Sequence, residues 1–323
     1  MPTYRSGAVT TILEERAGLQ RVEVDGEKAY VLTELIGPVA VGDRVVMNTT
    51  AVDLGLGTGG WHVVHWNLSR DAWSPPAAGN ELKLRYTSLQ LELTVAPGND
   101  VVPDVPIVGC TLHSHVAAIA LAFKQALPNS RLVYVMLDGG ALPLALSDVV
   151  HALRGEGLLD ATVTAGHAFG GDAEATTVEH ALAVAATFDP TAVVVGVGLG
   201  LLGVGSALAF TGRDVVHALD AASTPILAVR YSDAETRERH LGISHHTRSA
   251  LAAAARPVTV PIPTGEPRPD IGGHDVVEVD VPDLISALTA MGVTSMGRAA
   301  AEDPKFWAYA GAAGTAAAAA TSR

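Results

Sequence analysis

The densest collection of chemistry-capable side chains in this sequence lies in RYSDAETRERHLGISHHTRSAL, which begins at Arg230. Arg230, Arg237, Arg239 and Arg248 are the residue type that clamps a carboxylate or phosphate, because a guanidinium offers a planar fork of donors. His240, His245 and His246 can serve as ligands, acids or bases near neutral pH. The plainer alternative is a solvated turn in which Ser244 or Thr247 caps the helix ahead of SALAAAA. The adjacent pair His245 and His246 resists that alternative, since neighbouring helical side chains cannot both face one core.

Four other segments carry polar or glycine-rich chemistry. TLHSH holds His113 and His115, which share a face if the segment is extended; a capping role for Thr111 or Ser114 is the alternative. Asp138 precedes Gly139 and Gly140, whose missing side chains let backbone amides approach a bound group, or simply make a tight turn. GHAFGGDAEA combines His167 with Asp172 and Glu174, and Gly170 and Gly171 permit an anion-cradling nest; Asp172 or Thr176 could instead cap the following helix. GVGLGLLGVGS has only a superficial dinucleotide pattern, and ILAVRY ends without the acidic residue that would bind a ribose. Close packing, or a loop hugging a phosphate or carboxylate, reads better there.

These residues give an expected division of labour. His113, His115 and Asp138, with His167 or His245 as a further ligand, form the expected metal set. Imidazole with carboxylate suits zinc, manganese or iron. His167, Asp172, Glu174, His245 and His246 form the expected catalytic set, with Asp172 or Glu174 as base on a bound water. Asp138, Gly139, Gly140, Gly170, Gly171, Arg230, Arg239 and His240 form the expected ligand-binding set.

The elements that must position them follow a regular spacing. After Pro103, apolar β-type runs recur at 106–110, 132–137, 161–165, 192–197, 226–231 and 257–262, with helical Ala/Leu patterns in most gaps. Such spacing predicts βα units, and strands apolar throughout predict a mainly parallel sheet with helices on both faces. Each polar segment follows the end of a strand, the edge where open parallel sheets bind ligands. A further strand is expected at 276–281 and a fraying helix in AYAGAAGTAAAAATSR.

Before this come short strands punctuated by Ala17-Gly18, Asp25-Gly26, Gly37-Pro38 and Gly42-Asp43, which predict a small β-barrel-like domain. The fold class is therefore α/β, preceded by a small β domain over 1–70, a linker and bridging strand or hairpin over 71–103, and an α/β domain over 104–323. In DLGLGTGGWHVVHWNL, Asp53, His62 and His65 accompany glycines at 55, 57, 59 and 60. Packing is the preferred role for that loop, with Trp61 and Trp66 as core or interface anchors.

Composition excludes several classes. The chain has 323 residues, 48% hydrophobic and 17% charged, with a net charge of -13. That balance suits a globular protein and argues against a nucleic-acid backbone as partner. A single cysteine, Cys110, leaves no intramolecular disulfide and no cysteine-cluster zinc site. Residues 190–212 carry no charge, yet their glycines read as strand and loop and not as a membrane span. With no secretory signal read at MPTYRSGAVT, a cytoplasmic location is expected.

NTTAVDLGLGTGGWHVVHWNL, LDGGALPL, GHAFGGDAEA, RERHLGISHHT and MGRAAAEDP together resemble a bacterial family, domain of unknown function 3866, along almost the whole chain. The resemblance implies an architecture and no catalytic assignment. Two functions remain open on the residues: a metal-assisted hydrolase or transferase acting on a small anionic metabolite, or a non-catalytic metabolite-binding or homo-oligomeric assembly protein. A metal-free acid–base enzyme using His167 or His245 with Asp138 is a third.

Overall fold

The computed structural model describes residues 1–56, 59–75, 79–98 and 100–321. Gly57, inside the glycine loop, and residues 76–78 of the expected linker lie outside the described residues. Contacts divide the chain into Met1–Thr94 and Val95–Arg323.

In the first unit, β1 (Tyr4–Arg16), β2 (Leu19–Val24), β3 (Glu27–Leu32), β4 (Arg44–Asn48) and β5 (His62–Asn67) close into a barrel of order β1-β2-β3-β5-β4. The long β1 makes closure possible: its first residues pair with β4 and the remainder, through two register shifts, with β2. Such bulges bend a strand so that it serves two neighbours. Val9, Val22, Val24, Val31, Val45 and Val64 point inward at the alternate positions a strand allows. Short helices α1 (Thr33–Ile36) and α2 (Thr50–Asp53) connect strands, and β6 (Glu81–Lys83) pairs antiparallel with β7 (Leu91–Leu93). Trp61 stacks on Tyr30 and Asp53 accepts a hydrogen bond from Thr49, so these residues serve the barrel unit itself.

The second unit is built on β8 (Pro106–Cys110), β9 (Leu132–Leu137), β10 (Ala161–Thr164), β11 (Ala173–Glu174), β12 (Ala192–Val197) and β13 (Thr224–Leu227). After two small hairpin strands, β14 (Tyr231–Ser232) and β15 (Gly242–Ile243), the sheet is completed by β16 (Thr259–Pro263) and β17 (Asp275–Val279). Every pairing in this sheet is parallel, in the order β11-β10-β9-β12-β8-β13-β16-β17. Leu132, Tyr134 and Met136 face one core while Val133, Val135 and Leu137 face the other. The first core holds α3 (His115–Ala126), α4 (Asp148–Gly155), α8 (Ile285–Ala290) and α9 (Pro304–Ala320). The second holds α5 (Val178–Ala186), α6 (Val215–Ala221) and α7 (His245–Leu251). A last hairpin, β18 (Thr294–Ser295) with β19 (Arg298–Ala299), precedes α9.

This winding creates a switch point at β8. Strand β8 leads into α3 on the first face, whereas its neighbours β12 and β13 lead into α6 and α7 on the second. Loops leaving neighbouring strands toward opposite faces open a crevice at the carboxyl edge, where ligands bind in such sheets.

Two expectations need correction. The alanine-rich terminal segment does not fray through its helical length: α9 is buried from Tyr309 through Gly314 and packs on α3. An added Cβ on Gly314 would lie 2.2 Å from the Ile119 carbonyl oxygen, so small residues serve close helix contact there. The strand expected over 226–231 ends at Leu227, because the Arg230 N–H is taken by the Thr247 hydroxyl (2.9 Å) instead of a ladder. Arg230 is thereby freed from the sheet and set at the crevice.

Candidate anion site at the sheet switch point

A cavity of about 340 Å³ occupies the switch point. Its walls come from the segment after β8 (His113, Ser114), the glycine-rich stretch after β12, and the arginine- and histidine-rich stretch after β13. The β18–β19 hairpin adds Ser295 and Met296.

Arg230 dominates its electrostatics. The residue is only 2% exposed, yet its Nε has no hydrogen-bond partner among the described residues. Nη1 donates to His246 Nδ1 (2.8 Å), and Nη2 reaches the Met296 sulfur (3.3 Å), a weak acceptor. The nearest carboxylate, Glu235, stands 3.7 Å away and is already engaged in a fork with Arg237, at 3.0 and 2.6 Å. Burial, with Arg237 next, pulls Arg230 down to about 10, so it stays charged at neutral pH. The Arg237 hydrogen bonds hold Glu235 at about 2. Arg239 makes no ion pair among the described residues, while Arg230 and Arg237 share the one carboxylate of Glu235.

Two of the three histidines are held in distinct tautomers by their hydrogen bonds. An arginine can only donate, so His246 Nδ1 must accept and Nε2 carries the proton, ready to donate to a ligand. Phe210 stacks flat on this ring at 4.2 Å. Arg239 Nε likewise points at His240 Nε2 (3.4 Å), which places the His240 proton on Nδ1, facing Ser244 Oγ at 2.7 Å. The His240 Nε2 lone pair therefore faces the guanidinium side. Burial, then the charge of Arg230, lowers His240 to about 4 and His246 to about 3. His245, less buried, is lowered by desolvation and then Arg239. The ligating atoms of the three rings lie within 4.8 Å of one another.

His113 shares the cavity but has both ring nitrogens engaged. Its Nδ1–H donates to the Val197 carbonyl (3.1 Å), which leaves Nε2 to accept from the Ser147 hydroxyl (2.6 Å). Burial takes it down to about 4. His115 opens α3 and turns into the core, its ring 4.9 Å from that of Phe306, with neither nitrogen hydrogen-bonded among the described residues. Asp138 lines a different cavity, beside Gly166, Asp214 and His217, and accepts the backbone N–H of His167 (2.9 Å). The set His113, His115 and Asp138 is thus divided among a hydrogen-bonded wall, a core and a second cavity.

The acidic residues of GHAFGGDAEA serve the sheet edge. Asp172 accepts from Arg154 and from the Thr162 amide (2.8 Å) and hydroxyl (3.0 Å). Burial raises its pKa, but these bonds outweigh it and hold the carboxyl below the usual range, so Asp172 is a poor base. Glu174 is buried in β11, bonded to the Thr164 hydroxyl (2.6 Å) and the Gly170 amide (2.8 Å). Gly170 and Gly171 make the turn into that strand, Gly170 at φ 91. Gly139 and Gly140 let the turn after β9 press on the stretch after β12, since a Cβ on Gly140 would lie 2.3 Å from the Gly198 oxygen.

What the sequence reading did not pick out is the hairpin carrying Ser295 and Met296, and Phe210. Met296-Gly297 is a two-residue turn with φ 52 and 78, the primed hairpin geometry that usually takes Asn-Gly. A methionine at its first position hides the signal.

The family model described as Protein of unknown function (DUF3866) matches residues 28–314. The chain belongs to this family. Among curated proteins no match is found. The DUF3866 match spans the whole wall of the crevice, from Leu112 to Met296, together with β3, β4 and β5 of the barrel except the first residue of β3. No helix of this DUF3866 chain, among the described residues, is long and apolar enough to cross a membrane.

Proposed function

We propose that this protein binds a small anionic metabolite in the switch-point crevice and acts on it by proton transfer. The observation that carries the reading is Arg230: a buried guanidinium lining the cavity, with no carboxylate within hydrogen-bond reach among the described residues. A buried charge whose one carboxylate stands 3.7 Å away and is engaged elsewhere is costly, and a ligand's phosphate or carboxylate would supply a closer partner. Arg239 and the His246 Nε2–H are further donors. His240 is the side chain placed to accept a proton once an anion is bound: its Nε2 lone pair meets only the long Arg239 contact (3.4 Å), its Nδ1–H is anchored on Ser244, and the anion's charge would offset the arginine charge that helps hold it at about 4.

Isothermal titration and thermal shift with inorganic phosphate, sulfate and malonate test this. We expect saturable stabilisation by at least one of them, and its loss in Arg230→Met. Absence of any anion-dependent shift, or an equal shift in the variant, would overturn the reading.

The trio His240, His245 and His246 favours a second reading, a zinc, manganese or iron centre. It needs lone pairs converging on one point, and the Arg230 donor occupies that of His246. Several nearby guanidinium groups also oppose a dication. A metal would therefore have to displace Arg230, and zinc titration with His245→Ala as control measures whether it does.

A further inference from the structure

The wall of the crevice carries a feature that anion binding alone does not require. From Pro190 to Gly212 there is no charged residue, and this stretch lines the cavity through Leu199, Gly200, Leu201, Gly203 and Gly205. The same stretch holds Leu202, Val204 and Leu208 in solvent at 72%, 84% and 75% exposure. Its backbone lies against the polar groups of the crevice: a Cβ on Gly205 would lie 3.2 Å from Arg239 Nη1, and one on Gly203 would lie 3.9 Å from His246 Nε2. Met296, with its thioether against Arg230 and Arg237, is also exposed and held at φ 52, a conformation unfavourable for a long side chain. Leu202 and Val204 alternate along the chain with the lining residues Leu201, Gly203 and Gly205, and exposed apolar side chains beside a polar seat mark a binding surface.

We propose that the ligand is amphiphilic, with a phosphate or carboxylate head at Arg230 and a hydrocarbon substituent along Leu199, Leu202, Val204 and Leu208. This rests on the anion reading above and adds the class of molecule. The occupant is a single soluble amphiphile and not a bilayer. Arg230 is recessed, and a net charge of -13 repels an anionic membrane surface.

The test is calorimetric titration of the full chain with inorganic phosphate, methyl phosphate, butyl phosphate and octyl phosphate, each below its aggregation concentration. A buried methylene strengthens binding by about fourfold, so octyl phosphate is expected to bind at least about 10-fold tighter than methyl phosphate. In Leu202→Ser/Val204→Ser/Leu208→Ser the increment should fall below about threefold, each series being read against that protein's own affinity for inorganic phosphate. Equal affinity along the series in the unaltered chain overturns the amphiphile and leaves the anion site standing. No binding of any member, inorganic phosphate included, removes both. A flat series together with co-sedimentation on phosphatidylglycerol vesicles assigns the apolar surface to a membrane and overturns the proposal. A flat series with a dimer that the triple variant dissociates assigns it to self-association, with the same consequence.

Discussion

Arg230 concentrates the electrostatic cost of the crevice, and its replacement separates binding from stability. Arg230→Met keeps the volume and removes a buried charge whose partners are a histidine lone pair, a sulfur and a carboxylate at 3.7 Å. Because such charges stabilise poorly, we expect the variant to unfold at the same or a higher temperature while losing its anion response. The buried histidines give the protein a signed pH dependence. Four of them have folded values below the ordinary 6.5: His113 and His240 at about 4, His115 and His246 at about 3. The unfolded chain binds protons more tightly, so stability is complete above pH 6.5 and is lost as pH falls toward the folded values. Each of the four contributes a slope of about 1.4 kcal/mol per pH unit inside that window. Urea midpoints at pH 7.5, 6 and 5 measure it, and His115→Leu should shallow the slope by roughly one histidine. A midpoint indifferent to pH would contradict the buried, neutral assignment. At this scale the sequence was informative about residue type: Arg230, Arg239, His240, His245 and His246 meet in one crevice. It could not tell His113 from His115, because two residues at the mouth of a helix diverge by a rotation that only packing sets.

Among the elements, α9 and the β18–β19 hairpin make opposite predictions. Gly314 of α9 faces the Ile119 carbonyl of α3 so closely that any side chain must force the helices apart. Gly314→Ala should therefore cost about 1–3 kcal/mol by chemical denaturation, despite the better helix propensity of alanine. Met296 sits in a left-handed conformation that asparagine tolerates. Met296→Asn should stabilise the chain by about 1 kcal/mol, with the gain read as a higher urea midpoint. The parallel strands were legible because burial on both faces writes a continuous apolar run, as in LVYVML and AVVVGV. The edge strand β11 was not, since two residues, Ala173 and Glu174, carry no periodicity and Glu174 advertises chemistry while satisfying Thr164 and Gly170. The alanine-rich α9 was legible as a helix but not as core, because alanine serves either surroundings.

At the scale of the molecule, the barrel and the α/β unit each have their own core, and every residue lining the crevice lies between Leu112 and Met296. Residues 95–323 expressed alone should therefore unfold cooperatively and keep the anion response of the full chain; a fragment that folds but no longer responds would show that the barrel unit is needed for binding. The sequence by itself determined the architecture, a small barrel followed by a doubly covered parallel sheet, because strand burial, turn residues and crossover length are all local quantities. It also determined that polar loops leave the carboxyl edge. Only the tertiary structure decided which loops share a crevice, since that depends on β8 lying between β12 and β13 while its helix crosses to the other face. Strand order is set by packing between segments distant in the chain, and no local pattern records it.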